Sequence, residues 1–215
     1  MLSVVGKVLA QVIRARLQTF REVTTREEQC GFRPGRGCID QIFSVRQVLE
    51  ERIRCNKQTI AVFIDFKSAF DSVHRASMWK ALLAIGVPSK VVRVIAAFYD
   101  GTYCRVKVQG EKTSPFEVRT GVRQGCVLSP LLFNVVIDWI MSKSLAGRAG
   151  VPCGTGLKFT DAGYADDIVF LEESEAQAQE LLDTISERAQ KLGLCINATK
   201  TKCLSTDGTQ VHLAL

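Results

Sequence analysis

Apolar residues recur at helical spacing near the start of the chain. The positions Leu2, Val5, Leu9, Val12 and Ile13 predict a core helix that runs to about residue 20. The same stretch carries arginines and no acidic residue, which is also typical of a mitochondrial transit peptide. Of these two interpretations we favour the helix, because the apolar positions follow the period of an amphipathic helix.

A second amphipathic stretch follows a loop rich in Gly, Pro and Arg. The loop is "CGFRPGRGC", residues 30–38, and a helix is predicted from Asp40 to Arg54. The expected apolar side of that helix consists of Ile42, Phe43, Val45, Val48 and Leu49. Further helices are predicted around residues 75–85 and 89–99, which "GVP" separates.

Two stretches have the pattern of strands. "QTIAVFID", residues 58–65, is a short continuous apolar run that ends abruptly on Asp65, so it predicts a strand buried on both faces. "YCRVKVQGEKTSPFEV", residues 103–118, alternates basic and apolar residues and turns at Gly110, which indicates a hairpin.

The last part of the chain completes a recognisable order of elements. Ser129 is predicted to cap a helix whose first position is Pro130, and a Ser174/Gln177 capping box begins another helix that ends at Gly193. "GYADDIVFL", residues 163–171, predicts two short strands around a turn, and the stretch that begins with "LCIN", residues 194–197, predicts one more. Without the inserted hairpin, the order from residue 58 is the split βαββαβ arrangement with an antiparallel sheet.

Composition and charge narrow the class of partner. The chain is 47% hydrophobic and 23% charged, as in ordinary globular proteins. Its formal net charge is +6, and residues 1–60 hold most of the excess, with eleven Lys and Arg against six Asp and Glu. Such a basic lobe favours a polyanion such as nucleic acid, and a solvated basic face is the simple alternative. No apolar run approaches the ~20 residues of a membrane span, so no membrane partner is expected.

Cysteine usage argues against a disulfide framework and against a zinc site. The eight cysteines are scattered, none lies in a CxxC pair, and only His74 and His212 are present to join them. Dispersed thiols without a secretory signal indicate an intracellular protein.

Asp166 and Asp167 lie side by side in "GYADDIVFL". Adjacent carboxylates among apolar neighbours are costly unless a cation or donors offset them, although the pair alone also fits a plain Asp-containing turn. Asp65 ends a strand that lies beside this hairpin in the predicted topology, so three carboxylates are expected at one edge of the sheet. Mg²⁺ prefers oxygen ligands, and two such ions form the clamp for in-line phosphoryl displacement. The pattern therefore indicates phosphoryl-transfer chemistry.

Four segments resemble, in order and spacing, the successive motifs of reverse transcriptases. They are "FIDFKSAFDSV" (63–73), "GVRQGCVLSPLLFNVVID" (121–138), "GYADDIVFL" and "LGLCINATKTK" (192–202). "QCGFRPGRGCIDQIF" (29–43) is similar to the fingers segment of non-LTR (LINE-type) retrotransposon enzymes and their group II intron relatives. The resemblance implies an α+β fold, a polymerase palm with an antiparallel sheet and helices on one face. It also implies mainly helical fingers elements within residues 1–57, a palm within residues 58–215, and no thumb.

The resemblance also implies a two-metal site. Asp65 and Asp166 resemble the two metal-binding carboxylates, and Asp167 matches a third acid that ligates less directly. The backbone carbonyl of Phe66 would complete the coordination of one ion. The implied cofactor is a pair of Mg²⁺ ions, for which Mn²⁺ can substitute.

Other positions resemble the nucleotide and template pocket. Phe70 falls at the aromatic gate beneath the deoxyribose, and a core phenylalanine is the alternative. Arg123, Gln124 and Gly125 resemble the loop that lines the pocket. Lys200 resembles the lysine that protonates departing pyrophosphate, with a solvated surface lysine as the alternative.

Three further residues complete the implied site. Arg33 or Arg36 would grip the template or the triphosphate, since guanidinium groups suit phosphate, and the sequence leaves open which of the two does so. Tyr164 would support the site near the primer terminus.

The implied function is that of a retrotransposon RNA-directed DNA polymerase with an RNA template, a DNA primer and dNTPs as partners. The chain begins inside the first helix of the family pattern and ends before the thumb, so we expect it to be part of a longer polyprotein with endonuclease and thumb regions. The element would act in the nucleus and cytoplasm. A second hypothesis is a catalytically inactive, maturase-like nucleic-acid-binding fragment. A nucleotidyl cyclase is disfavoured because it leaves residues 123–125 and "GFRPGRG" unexplained.

Overall fold

Helices and short antiparallel strands alternate along the computed structural model, which describes residues 3–154 and 156–214. The helices α1 to α7 are Val4–Thr24, Cys38–Arg54, Ala69–Ser72, Arg75–Ala84, Ser89–Tyr99, Ser129–Ser144 and Glu175–Lys191. The strands β1 to β10 are Ile60–Ile64, Tyr103–Cys104, Lys107–Val108, Glu111–Lys112, Phe116–Glu117, Val151–Cys153, Leu157–Phe159, Asp161–Tyr164, Asp167–Glu172 and Lys202–Ser205. No helix in the described ranges is both long and apolar enough to cross a membrane.

A four-stranded antiparallel sheet with the order β10-β1-β9-β8 forms the centre of the molecule. Ile64 at the end of β1 pairs with Ile168 in β9, and Tyr164 at the end of β8 pairs with Asp167. This order confirms the predicted βαββαβ topology. It also places the end of β1 and the β8–β9 turn at the same edge of the sheet.

The two faces of the sheet are covered by different helices. Ile60, Val62 and Phe170 alternate onto one face and share a core with α6 and α7. On the opposite face, Val45 and Val48 of α2 share a second, smaller cluster of buried apolar residues with the sheet. Burying each such side chain fully contributes about 1.5–3 kcal/mol, so both layers hold the sheet in place. The helix α2 thus adds a second covering layer to the one expected from the palm arrangement.

Strand β1 is less buried than its apolar run predicts. Ile60, Val62 and Ile64 are buried, whereas Phe63 is 41% exposed. Phe63 lines a groove of 430 Å³ between α2 and the sheet, together with Ile42 and Tyr164. The prediction of burial on both faces is therefore wrong at Phe63, because α2 does not close over that end of the strand.

The predicted helix at the N-terminus is present, but its buried stripe differs from the expected one. Ala10, Ile13 and Leu17 are buried in α1, whereas Val5, Leu9 and Val12 are exposed. Leu2 lies outside the described residues. The stripe at 10, 13 and 17 is the one that packs in the core shared with α6, so apolar character alone did not identify the core face.

The helix α2 also buries fewer residues than predicted. It begins at Cys38, two positions before the predicted start, and it buries Val45 and Val48. Ile42 and Phe43 are each 61% exposed. Ile42 lines the open groove between α2 and the sheet, so the expected apolar side of the helix is only partly covered.

Helix and strand ends show smaller differences. Leu128 is the N-cap of α6 and Ser129 its first residue, whose hydroxyl donates to the Arg123 carbonyl at 2.6 Å. Ile196 of "LCIN" makes only a single bridge with Phe66, and the last strand begins at Lys202. The predicted helix and the predicted last strand are therefore both present, and only their first residues differ, because local hydrogen bonds and pairing with β1 select the boundaries.

The inserted hairpin and the start of α7 agree with the sequence. β2 pairs with β5 and β3 with β4, around a turn in which Gln109 and Gly110 both have positive φ. The Ser174 hydroxyl accepts from the Gln177 N–H, which confirms Ser174 as the N-cap of α7. The Gln177 side chain accepts from the Ser174 hydroxyl at 3.1 Å and not from the Ser174 N–H, so only half of the predicted capping box is present among the described residues. The short helix α3 and the β6–β7 hairpin have no counterpart in the sequence predictions.

Candidate active site

Three aspartates lie at the edge of the sheet where β1 ends and β8 turns into β9. Asp65 directly follows Ile64, and Asp167 directly precedes Ile168, its cross-strand partner. Extending the register by one residue places Asp65 opposite Asp167, and opposed side chains on neighbouring strands share a face. Asp166 lies with Ala165 in the two-residue turn before Asp167. The structure therefore brings together the three carboxylates that the sequence singled out.

The pKa of Asp167 reflects how close the three carboxylates lie to one another. Burial, together with the neighbouring charges of Asp166 and Asp65, raises the pKa of Asp167 above its ordinary value. The Oδ2 atom of Asp65 is buried and has no hydrogen-bond partner among the described residues. A buried oxygen without a donor costs free energy, so this atom is suited to a ligand from outside the chain.

The backbone around Asp65 is held firmly. The Asp65 N–H donates to the Thr201 hydroxyl at 3.3 Å, and its carbonyl accepts from the Asn197 N–H at 2.7 Å. The bridge between Phe66 and Ile196 uses that bond and a second from Lys67 to Cys195, so the Phe66 carbonyl takes no part in it. The Phe66 carbonyl therefore stays outside this pairing, as a metal ligand must.

The donor set fits a hard divalent cation. Carboxylate and carbonyl oxygens are the ligands that Mg²⁺ takes, usually completed by substrate phosphates. Within residues 3–154 and 156–214, no three His, Cys, Asp or Glu side chains are gathered closely enough to hold a metal by themselves. The Asp65 Oδ2 atom is available as a ligand, and a bound cation would offset the repulsion between Asp167 and its neighbouring carboxylates. These features are consistent with an ion whose remaining ligands come from a substrate.

Lys200 lies beside the same edge. Its Nζ atom is 3.8 Å from the Asp65 Oδ1 atom, and its side chain is 69% exposed. The contact brings an ammonium group next to the carboxylates without burying it, so the group can also meet a ligand from solvent.

The segment after β1 is bound to the loop before α6. Phe70 is half-buried and stacks on Phe133, with ring centroids 4.3 Å apart. The Gln124 side-chain amide donates to both carboxylate oxygens of Asp71, at 2.9 and 3.0 Å. The Val122 N–H donates to the Phe70 carbonyl at 2.8 Å. Phe70 is thus a packed residue whose ring position is fixed, and Gln124 is engaged by Asp71.

Arg123 and Gly125 occupy the rest of that loop. The Arg123 guanidinium lies over the rings of Phe98 and Tyr99, 4.8 and 5.1 Å from their centroids, and donates to the Thr102 hydroxyl. Its guanidinium is therefore engaged by an aromatic pair and a hydroxyl. Gly125 is exposed and has a φ of 76°, a conformation that favours glycine.

The two arginines of the Gly/Pro/Arg loop differ in accessibility. The Arg33 side chain is 6% exposed and donates to the carbonyls of Arg26 and Gln29 at 3.0 and 3.1 Å. This corrects the expectation that Arg33 grips a phosphate, because a buried guanidinium already bonded to carbonyls supports its own loop. The Arg36 side chain is 40% exposed and pairs with Glu27.

Part of the basic surplus of residues 1–60 is structural. Arg21, Arg33 and Arg52 are buried, which the sequence alone did not indicate. The exposed cations of α1 are Lys7, Arg14 and Arg16. The basic lobe is therefore smaller than the count of charges implies.

Sequence reasoning missed a buried ion-pair network beside the site. The Arg26 guanidinium donates to Asp138 of α6 at 2.9 Å and to both oxygens of Asp161 of β8 at 3.0 and 2.9 Å. These partners are 112 and 135 residues away in sequence, so no local pattern could have revealed them. The network fastens the loop before α2 to the palm.

Comparison with known proteins places these features in a family. A family model described as "Reverse transcriptase (RNA-dependent DNA polymerase)" matches residues 1–212. The Pol polyprotein of the Drosophila melanogaster type-2 retrotransposable element R2DM is 31% identical over 92% of this chain and 18% of the relative. The RNA-directed DNA polymerase of the Drosophila melanogaster mobile element jockey is 29% identical over 93% of this chain and 22% of the relative. The chain thus spans about a fifth of the length of these relatives.

Solved structures show the same fold. A telomerase from Candida tropicalis, in complex with a fragment of telomeric RNA, superposes with a TM-score of 0.68 and 16% identity. The match covers 93% of this chain and 33% of the telomerase. A Candida albicans telomerase matches with a TM-score of 0.66 and 13% identity over 94% of this chain and 34% of its own.

Proposed function

Since the chain belongs to the reverse transcriptase family and its relatives come from non-LTR retrotransposons, we propose that it is the core of an RNA-directed DNA polymerase. It joins the 3′-hydroxyl of a DNA primer to the α-phosphate of a dNTP on an RNA template, as part of a longer retrotransposon polyprotein. The observation that carries this proposal is the convergence of Asp65, Asp166 and Asp167, with one Asp65 oxygen buried and unpartnered among the described residues.

The carboxylates are assigned to metal binding. Asp65 and Asp166 would hold two Mg²⁺ ions, or Mn²⁺ in their place, with Asp167 and the Phe66 carbonyl as supporting ligands. Ions bound there supply activation of the primer hydroxyl and neutralisation of phosphate charge. The contribution of the chain is placement, because Thr201 and Asn197 fix the Asp65 backbone before any ligand arrives.

The neighbouring residues are assigned to the incoming nucleotide. Phe70 would lie beneath the deoxyribose and exclude a 2′-hydroxyl, and its stacking on Phe133 keeps the ring rigid enough for that task. Gln124 and Gly125 would line the pocket, Gln124 from a position set by Asp71. Arg123 would hold the same loop in place through its contacts with the rings of Phe98 and Tyr99.

Three exposed or half-exposed side chains are assigned to the charged ends of the substrates. Lys200 would donate a proton to departing pyrophosphate, which its position beside Asp65 supports. Arg36 would contact the template or triphosphate. Tyr164 would support the primer terminus, since it pairs with Asp167 across the hairpin.

Primer extension tests the proposal directly. The purified chain, and a longer chain that includes the flanking polyprotein regions, are incubated with an RNA template, a labelled DNA primer, dNTPs and Mg²⁺. We expect extension that disappears in the Asp166→Asn variant, because that change removes a ligand charge while it preserves the shape of the side chain. Lys191→Met is the matched surface control, since Lys191 is exposed at the end of α7 and pairs with Glu187 at 2.6 Å.

A nucleic-acid-binding module without catalysis is the second candidate. The exposed α1 cations Lys7, Arg14 and Arg16 favour it, since they offer phosphate contacts independent of the carboxylates. Primer-template binding without extension in both chains, unchanged by Asp166→Asn, would establish this candidate and reject the polymerase.

A further inference from the structure

A buried glutamine brackets the turn that carries Asp166. Gln29 is 1% exposed. Its Oε1 atom accepts from the Ala165 N–H at 3.0 Å, and its Nε2 atom donates to the Ala165 carbonyl at 3.2 Å. Oε1 also accepts from the Gly31 N–H at 2.9 Å. One amide group thus binds both backbone polar groups of the residue immediately before Asp166.

The turn needs such a partner. Ala165 has a φ of 60°, a left-handed conformation that a residue with a Cβ adopts only when its surroundings enforce it. The ladder between β8 and β9 ends at the Tyr164–Asp167 pair, so it does not satisfy the polar groups of Ala165. Ala165 is buried, and buried backbone groups require hydrogen-bond partners. Gln29 supplies partners for both.

Gln29 is itself held against β8 by its neighbours. The Gly163 N–H donates to the Glu28 carbonyl at 2.9 Å, and the Cys30 N–H donates to the Gly163 carbonyl at 2.8 Å. A Cβ on Gly31 would lie 2.3 Å from the Ala165 nitrogen, so only glycine permits this approach. Residues 28–31 therefore form a clamp on the turn, and we use "turn clamp" for this segment.

Side chains from outside the turn clamp, and one from the residues that follow it, hold it in place. The Arg21 guanidinium donates to the carbonyls of Gly31 and Phe32, both at 2.8 Å, and the Asn134 amide of α6 also donates to the Gly31 carbonyl. Arg33 donates to the Gln29 carbonyl at 3.1 Å. Side chains of α1 and α6 thus hold the turn clamp in place. The side-chain amide of Gln29 is therefore a rigid support for the turn at Ala165.

We propose that Gln29 is a positioning residue, which fixes both backbone groups of Ala165 and so sets the direction in which the Asp166 carboxylate leaves the turn. Its catalytic consequence rests on the proposed polymerase function, whereas its structural consequence at the turn does not. Gln29 touches no reacting atom; it acts through Ala165 on the placement of Asp166. A small displacement of a metal ligand is enough to slow catalysis strongly.

The Gln29→Met variant tests this inference, because methionine has a similar length and makes neither hydrogen bond. We expect kcat for primer extension to fall about 10- to 100-fold, with KM for dNTP nearly unchanged. The Mg²⁺ concentration for half-maximal activity should rise severalfold, and the Ala165 amide should exchange its hydrogen faster. The stability control is Ile185→Val, a buried change in α7 that does not touch the turn clamp. It should leave kcat and the Mg²⁺ requirement at the wild-type level.

A second change separates positioning from general destabilisation. In the Gln29→Met background, Ala165→Gly should restore part of the lost kcat, because glycine adopts a left-handed φ without the Cβ penalty. Recovery of at least about threefold is expected, whereas destabilisation alone predicts none. If Gln29→Met does not fold, Gln29→Asn is measured in the same way, since it keeps the amide but is one methylene shorter and cannot make both bonds to Ala165.

The readouts also separate failure of this inference from failure of the proposed function. If wild-type protein extends no primer, the polymerase assignment fails, while amide exchange at Ala165 and Mn²⁺ binding by wild type and Gln29→Met still test the clamp. Unchanged exchange and unchanged Mn²⁺ affinity in Gln29→Met would overturn the inference. So would an equal loss of kcat in Ile185→Val at matched stability.

Discussion

The buried Arg26 network offers the sharpest test of what joins the N-terminal loop to the palm. Arg26→Met keeps most of the apolar stem and removes the guanidinium that serves Asp138 and Asp161. The Asp161 side chain is 0% exposed and that of Asp138 is 12% exposed, so both carboxylates lose their cation in a poorly solvated place. Breaking a buried pair in this way costs about 3–5 kcal/mol.

The expected loss is a large share of the total free energy of unfolding, which is about 5–15 kcal/mol for a native domain. With a urea m-value of about 2–3 kcal/mol/M, the unfolding midpoint should fall by about 1–2.5 M. Arg46→Met is the matched control, because Arg46 and Glu50 form an exposed pair on α2 worth at most about 0.5 kcal/mol. A loss below about 1 kcal/mol in Arg26→Met would refute the reasoning that the network is buried and tightly coupled.

The pH dependence of this variant has a definite sign. Burial raises the pKa of Asp138 even in the presence of Arg26, because the guanidinium is shared with Asp161 and compensates Asp138 incompletely. Removing Arg26 raises that pKa further. A raised folded-state pKa means that the folded protein takes up a proton before the unfolded chain does, so stability is regained as pH falls. The deficit of Arg26→Met should therefore shrink as urea unfolding is repeated from pH 7 toward pH 5.

Three further changes test the site and its support. Asp65→Ala should abolish primer extension and leave the melting temperature nearly unchanged, since it removes one of several repelling carboxylates; a large drop would count against a metal-site role. Phe70→Ala should raise the ratio of rNTP to dNTP kcat/KM about tenfold or more, a ratio that partial unfolding does not alter, and an unchanged ratio rejects the gate assignment. Gly121→Ala should lower the free energy of unfolding by at least about 2 kcal/mol, because its φ is 73° and a Cβ would lie 2.6 Å from the Asp71 backbone. Gly86→Ala is its control, with a φ of 90° and open space around the Cβ, and equal losses in urea unfolding would contradict the steric argument.

The order of elements and the position of the carboxylates could be predicted from local signals. The apolar run that ends on Asp65 and the two-residue turn at Asp166 are determined by period and turn chemistry, which act over a few residues. Sheet order then follows from the βαββαβ sequence of elements, and it brings these two ends together. The candidate metal site therefore needed no more than sequence and topology.

The identity of buried faces could not be predicted in the same way. In α1 the apolar Val5 and Val12 are exposed while Arg21 is buried, because the neighbours and not the side chain decide which stripe is covered. Arg33 likewise looked like a phosphate ligand and is a support for its own loop. The sequence does not show which residue a charged or apolar side chain will contact in the folded protein.

By itself, the sequence determined that Asp65 ends a strand and that Asp166 and Asp167 lie at a turn, since strand ends and turns depend on neighbouring residues. The order of elements then predicted that the three carboxylates meet at one sheet edge. Only the tertiary structure decided what supports that edge. Gln29 reaches Ala165 across 136 residues, and Arg26 reaches Asp161 across 135, through contacts that exist only once α1, α6 and β8 have packed. Hydrogen bonds and ion pairs of this kind depend on distances of about 3 Å, which sequence separation does not encode.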